Sequence, residues 1–129
     1  MVTNAQSLQD HCAGISAVKQ YIRDHLDEPL NRDVLAAVAG FSVSHFHRVF
    51  TASTGENIAG YVRRVRLERA GRKLRMGAVD ITEVALAAGY DTHAAFSKAF
   101  KQQFGLSPSE FRQLSCHAAT QILMKGKSQ

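Results

Sequence analysis

The sequence predicts an all-α chain: two tandem helix-turn-helix subdomains joined by a long basic linker helix, about seven helices in all. Three observations lead there. No alternating β-branched run stands between turn residues, so strand signals are nearly absent. Apolar residues recur at helical spacing between caps and stops. The pattern also repeats. Gly40-Phe41-Ser42 matches Gly89-Tyr90-Asp91 at an offset of 49, whereas Phe46, Phe50, Gly55 and Tyr61 match Phe96, Phe100, Gly105 and Phe111 at 50. One extra residue just after Asp91 accounts for the step.

Taken in order, Ile15, Val18, Tyr21, Ile22 and Leu26 form a first helical stripe, which Pro29 confines to an end near Asp27. Asn31 can cap a second helix through Val34, Leu35 and Val38, stopped by Gly40. Ser42 can cap a third, running through Phe46, Val49 and Phe50 to Gly55. A long helix is expected from Asn57 to Met76. Its apolar stripe shifts from Ile58, Tyr61, Val62 and Val65 to Leu67, Ala70, Gly71 and Leu74, about half a turn around. That suits an element shared by two subdomains. Gly60 and Gly71 each cost about 1 kcal/mol relative to Ala in a helix interior, which close packing would justify. Asp80 and Glu83 have the spacing of a capping box, and Asp91 is expected to cap the next helix, which ends at Gly105. Ser107-Pro108-Ser109-Glu110 opens a last one. The expected boundaries are residues 13–56 for the first subdomain, 57–76 for the linker helix, 77–114 for the second subdomain and 115–129 for a loose tail.

Length and composition narrow the function. The chain has 129 residues, 45% hydrophobic and 21% charged, which is a folding composition with room for a core. No apolar run approaches the roughly 20 residues of a membrane span, and the N-terminus lacks the pattern of a signal peptide. Cys12 and Cys116 form no CxxC, which fits a reducing, cytoplasmic compartment. Sixteen Lys and Arg against 11 Asp and Glu leave +5. Seven of those cations (Arg63, Arg64, Arg66, Arg69, Arg72, Lys73, Arg75) lie between Asn57 and Arg75 with one acid, Glu68. A basic stretch in an otherwise near-neutral chain points to a polyanion, or to a merely solvated helix face.

The repeat decides between them. Small residues (Ala36, Ala37, Ala39; Ala85, Ala87, Ala88) let the first helix of each pair approach the second, and Gly40 and Gly89 permit the tight turn. Phe46 and Phe50, like Phe96 and Phe100, mark the face that buries. The opposite face carries Ser44, His45, His47, Arg48 and Thr51 in one half, and His93, Ala94, Ser97, Lys98 and Lys101 in the other. Short polar side chains around one long cation fit a major groove, where Arg or Lys reaches guanine edges or phosphates. Arg63, Arg64, Lys101 and Arg112, with His45 and Thr51, are candidates for phosphate or supporting contacts. The helix N-termini near Asn31 and Asp80 can offer N–H groups to phosphates.

The run Gly89-Tyr90-Asp91, Phe96-Ser97-Lys98-Ala99-Phe100-Lys101, Phe104-Gly105, Pro108, Phe111-Arg112 resembles the signature of the AraC/XylS transcription regulators, and Leu30 to Phe50 resembles their first helix-turn-helix. The likeness extends over roughly Ile15 to Leu114. It implies a double-stranded DNA-binding regulator, an activator at promoters that also touches RNA polymerase. It implies base contacts from Ser44, His47 and Arg48, then from His93, Ala94, Ser97 and Lys98. The family's short MarA/SoxS/Rob-type activators have Trp and Gln where this chain has Ser44 and His47, paired Gln at His93 and Ala94, and Arg at Lys98. The fold carries over, whereas the operator does not. A small-molecule ligand is expected only if a separate domain exists in a longer chain. Binding as a monomer is expected, since one chain holds two recognition helices for successive groove segments about 34 Å apart.

Rival constellations are weaker. His45 and His47 point about 200° apart on a helix and cannot share an ion; His11-Cys12 and Cys116-His117 could form a zinc site only by joining the termini. No nucleophile triad, phosphate loop or paired-carboxylate signature appears, so neither an enzyme, a metal nor a cofactor is expected. The alternatives to specific DNA reading are a protein-interaction module and a nonspecific architectural DNA binder.

Overall fold

The computed structural model describes residues 4–76, 80–114 and 116–125. Among them are eight α-helices and no strand: α1 (Asn4–Asp24), α2 (Arg32–Ala39), α3 (Val43–Thr54), α4 (Ile58–Leu74), α5 (Ile81–Ala87), α6 (His93–Phe104), α7 (Pro108–Arg112) and α8 (Cys116–Lys125). The chain is all-α, as its patterning predicts. It divides into two compact units, one up to Val62 and one from Arg63 onward, so α4 contributes to both.

In the first unit, Ile15, Val18, Ile22 and Leu26 are buried, together with Leu35 and Ala36 of α2 and Phe46 and Phe50 of α3. Asn31 caps α2 by accepting the Val34 N–H at 2.9 Å. Ser42 caps α3 by accepting the His45 N–H at 3.3 Å. Between them Gly40 sits at φ 79, left-handed backbone that any side chain would strain. The amides of Gly40 and Phe41 donate back to Ala37 O and Ala36 O, closing the end of α2. Gly14 of α1 has a separate reason to be glycine. A Cβ there would lie 2.8 Å from the Ala39 carbonyl oxygen, so α1 crosses the end of α2 at backbone contact.

The second unit repeats this design. Gly89 (φ 95) and Tyr90 donate to Leu86 O and Ala85 O, the same pairing shifted by 49 residues. Phe96, Phe100 and Phe111 are fully buried with Leu67, Leu74 and Val84. The aromatic geometry repeats as well. Phe50 meets Tyr61 edge-on at 5.2 Å, and Phe100 meets Phe111 edge-on at 5.3 Å, each within its own unit. Ser107 and Glu110 form the full capping box of α7, with Pro108 opening the helix.

Four expectations need correction. The helix α1 begins at Asn4 rather than near Ile15, because its polar first turns carry no apolar periodicity to read. The segment after Leu114, expected to be loose, contains α8, whose Ala119 and Leu123 complete the second unit's core. Thr92, not Asp91, caps α6: its backbone is extended and its side chain accepts the Ala95 N–H at 3.0 Å. The extra residue therefore lies between Gly89 and the cap, and Thr92 is the true counterpart of Ser42. Asp80 caps α5, but through the Thr82 N–H at 3.0 Å, the second helical residue rather than the third that a capping box engages. Of the two helical glycines, Gly71 fits the close-packing argument: a Cβ would stand 3.0 Å from Leu123 Cδ2 and 3.4 Å from Phe111 Cε2. Gly60 lies in the first turn of α4, where its N–H donates to Asn57 Oδ1 at 2.7 Å.

Candidate nucleic-acid interface

On α3, Ser44, Arg48 and Thr51 are exposed, and His45 and His47 are half-buried. At about 100° per residue, Ser44, His47, Arg48 and Thr51 share an arc of roughly 100°. His45 falls outside it and turns its ring edge-on to Phe41 at 5.0 Å, so it braces the turn between α2 and α3. On α6, His93, Ala94, Lys98 and Lys101 are exposed and Ser97 is half-buried. They span roughly 140° of that helix. Each second helix thus presents a polar stripe opposite its phenylalanines. Both stripes open at a capped N-terminus, where polar partners meet the helix dipole's positive end.

The basic stretch of α4 proves more divided than its charge suggests. Arg64 is 2% exposed and forms an ion pair with Glu68, itself 6% exposed, one helical turn on. Burial removes Arg64 from the phosphate candidates: its charge is answered inside the protein. Arg69 Nη2 donates to Ala87 O at 3.0 Å, at the end of α5. Arg75 Nη1 donates to Arg112 O at 3.0 Å and also to Leu114 O, beyond the end of α7. Cations satisfying the last carbonyls of helices are a structural use of charge. Arg66 lies beside the Gly89-Tyr90 turn. Arg63 and Arg72 remain exposed, although Arg72 Nη2 comes within 4.0 Å of Glu68 Oε1. Arg112 is half-buried on α7.

Arg63 also lines a half-open depression of about 430 Å³ with Tyr90, Ala99, Gln102 and Gln103. Sequence patterning singled out neither glutamine nor Tyr90 for this place, since none stands on either polar stripe. Burial raises the Tyr90 phenol above its ordinary pKa, with Arg63 and Arg66 opposing the shift, so the hydroxyl is a neutral donor near pH 7. No three His, Cys, Asp or Glu side chains gather around one point among the described residues. His11, Cys12 and Cys116, the expectation of a terminal zinc site, lie outside the described side chains.

A family model described as a helix-turn-helix domain matches residues 35–114. The chain belongs to that family. Its relatives are of the AraC type. The regulatory protein SoxS of Escherichia coli (strain K12) is 36% identical over 92 residues, covering 71% of this chain and 86% of SoxS. The transcriptional regulator Rob of Salmonella typhimurium (strain LT2) is 39% identical over 95 residues, covering 74% of this chain but 33% of Rob. This chain thus spans about a third of the length of Rob. A transcriptional regulator from Chromobacterium violaceum, described as of the AraC-type DNA-binding domain-containing proteins, superposes with a TM-score of 0.73 at 27% identity, covering 84% of this chain and 94% of that one. No helix among the described residues is long and apolar enough to cross a membrane.

Proposed function

We propose that this helix-turn-helix chain is a sequence-specific binder of double-stranded promoter DNA that regulates transcription as an activator in the bacterial cytoplasm. The helices α3 and α6 enter successive major-groove segments. Arg48 and Lys98 read base edges, flanked by Ser44 and His47 on α3 and by His93, Ala94 and Ser97 on α6. Arg63, Thr51, Lys101 and Arg112 serve the backbone phosphates, and His45 supports α3. The observation carrying this reading is the duplication itself: two capped helices, each with a polar stripe that bears an exposed cation, Arg48 on α3 and Lys98 with Lys101 on α6. A solvated surface has no reason to be repeated in that detail. One chain supplies both half-site readers, so it binds as a monomer and leaves another surface for RNA polymerase.

The test is selection of bound duplexes from a random library, followed by titration of selected and random duplexes at several salt concentrations. Two short conserved blocks about one helical turn apart are expected, with an affinity gap of ~10³ or more over random DNA. Arg48→Ala or Lys98→Ala should each cost ~1–3 kcal/mol on the selected duplex and relax one base position. Equal loss on random DNA reduces these residues to phosphate contacts. An architectural binder leaves almost no gap between duplexes, and an interaction module binds neither at low salt.

A further inference from the structure

We propose that His47 reads DNA by donating the N–H of its Nε2, and that its target is the acceptor edge of a guanine. The inference rests on the DNA-binding reading above and adds the base to it. His47 stands at the edge of the groove-facing arc of α3, half-buried, and its Nδ1 is sealed from solvent with no hydrogen-bond partner among the described residues. An orphaned buried N–H is rarer and costlier than an acceptor left with an unused lone pair. A proton on Nδ1, in the other neutral tautomer or in the imidazolium, would bury such an N–H with nothing to receive it. The lone pair therefore belongs on Nδ1 and the hydrogen on Nε2, the nitrogen left to the outside.

The same chain contains the opposite case. His25 Nδ1 lies 2.8 Å from the Tyr21 carbonyl oxygen, which can only accept, so His25 carries its hydrogen on Nδ1. The two histidines thus differ at Nδ1: His25 has a carbonyl there to receive a hydrogen and His47 has none.

A single outward N–H has a narrow choice in the major groove. Cytosine offers an amino donor. Adenine offers N7 beside a competing amino donor, and thymine offers a lone O4. Guanine presents N7 and O6 side by side with no donor between them, so it accepts best from a group that can only donate. A glutamine at this position, able both to donate and to accept, matches adenine instead.

Long-range proton–nitrogen correlation spectra of the full chain, labelled with ¹⁵N, read both tautomers directly. Nε2–H at His47 and Nδ1–H at His25 are expected; Nδ1–H at His47 overturns the proposal. Library selection with the wild type and with His47→Gln reads the base. One position should change from guanine to adenine, with about a tenfold loss on the wild-type duplex. A wild-type consensus that His47→Gln leaves unchanged overturns this inference while leaving the DNA-binding reading intact. A wild type that selects no consensus sinks both.

Discussion

Replacing Glu68 by Leu would leave the Arg64 guanidinium, 2% exposed, without its carboxylate. Breaking a buried ion pair by removing one partner costs about 3–5 kcal/mol. Both partners here are almost wholly buried and water has little access. Arg64→Met is the milder break. Arg72 Nη2 already stands 4.0 Å from Glu68 Oε1, and its side chain is 59% exposed, so it can move in and answer part of the orphaned charge. Its cost should fall near or below 3 kcal/mol. The double variant Arg64→Met/Glu68→Leu removes both desolvation penalties and should be neutral or more stable by as much as a few kcal/mol. Urea and thermal unfolding followed by circular dichroism at fixed salt would measure all three. Glu68→Leu should lower the melting temperature by roughly 10–20 °C, at the few degrees per kcal/mol expected for this size. The reasoning fails if Glu68→Leu costs under about 1 kcal/mol, or if the double variant is as damaged as the single ones. The double variant also carries a functional arm. With Arg64 inside the protein, specific DNA affinity and its salt slope should survive its loss; a slope reduced by about one would return Arg64 to the phosphates.

Three further outcomes are expected. Arg63→Gln should weaken binding equally on selected and random duplexes and lower the salt slope by about one, read by titration across ionic strengths. Leu123→Ala should cost about 2–5 kcal/mol in urea unfolding, because α8 completes the core around Phe100 and Phe111; a surface segment would show almost nothing. The Glu110 carboxyl is held below its ordinary pKa by the Ser107 backbone N–H and then by the Ser107 hydroxyl. A depressed folded-state pKa gives stability that is present above the unfolded value and lost as pH falls through the folded one. Acidification below the usual carboxylate range should therefore open the capping box, visible as a titrating shift of the Ser107 amide that Glu110→Gln abolishes.

Most of the architecture was legible because it is written in periodicity and punctuation. Asn31, Ser42 and Ser107 cap helices as their sequence context implies. The Phe46–Phe50 and Phe96–Phe100 spacing marks the buried faces. What stayed hidden involves partners far apart in sequence. Nothing local distinguishes Arg64, buried against Glu68, from Arg63, exposed one residue earlier; helix phase alone separates them. Arg69 and Arg75 find carbonyls 18 and 39 residues away, so their charge reads as surface until the chain is folded. The polar start of α1 carries no apolar signal, and α8 is short, with a stripe that means little until Gly71 opens a place for Leu123. For the candidate interface, the repeat located both stripes, while the bracing role of His45 and the sealed nitrogen of His47 required coordinates.

The glycines of this chain should fail in two distinguishable ways under substitution. At Gly40, Gly55 and Gly105 a Cβ would meet nothing within 4 Å, so the obstacle is the handedness of the backbone. Alanine and leucine should be similarly disfavoured there, asparagine should be the mildest L-residue, and no change elsewhere should rescue them. Gly71 is limited by room, so its tolerance should fall with side-chain size, and trimming Leu123 should restore some of what Gly71→Ala removes. A saturation scan would therefore sort them into chirality-limited and volume-limited positions, and only the second class should yield second-site suppressors.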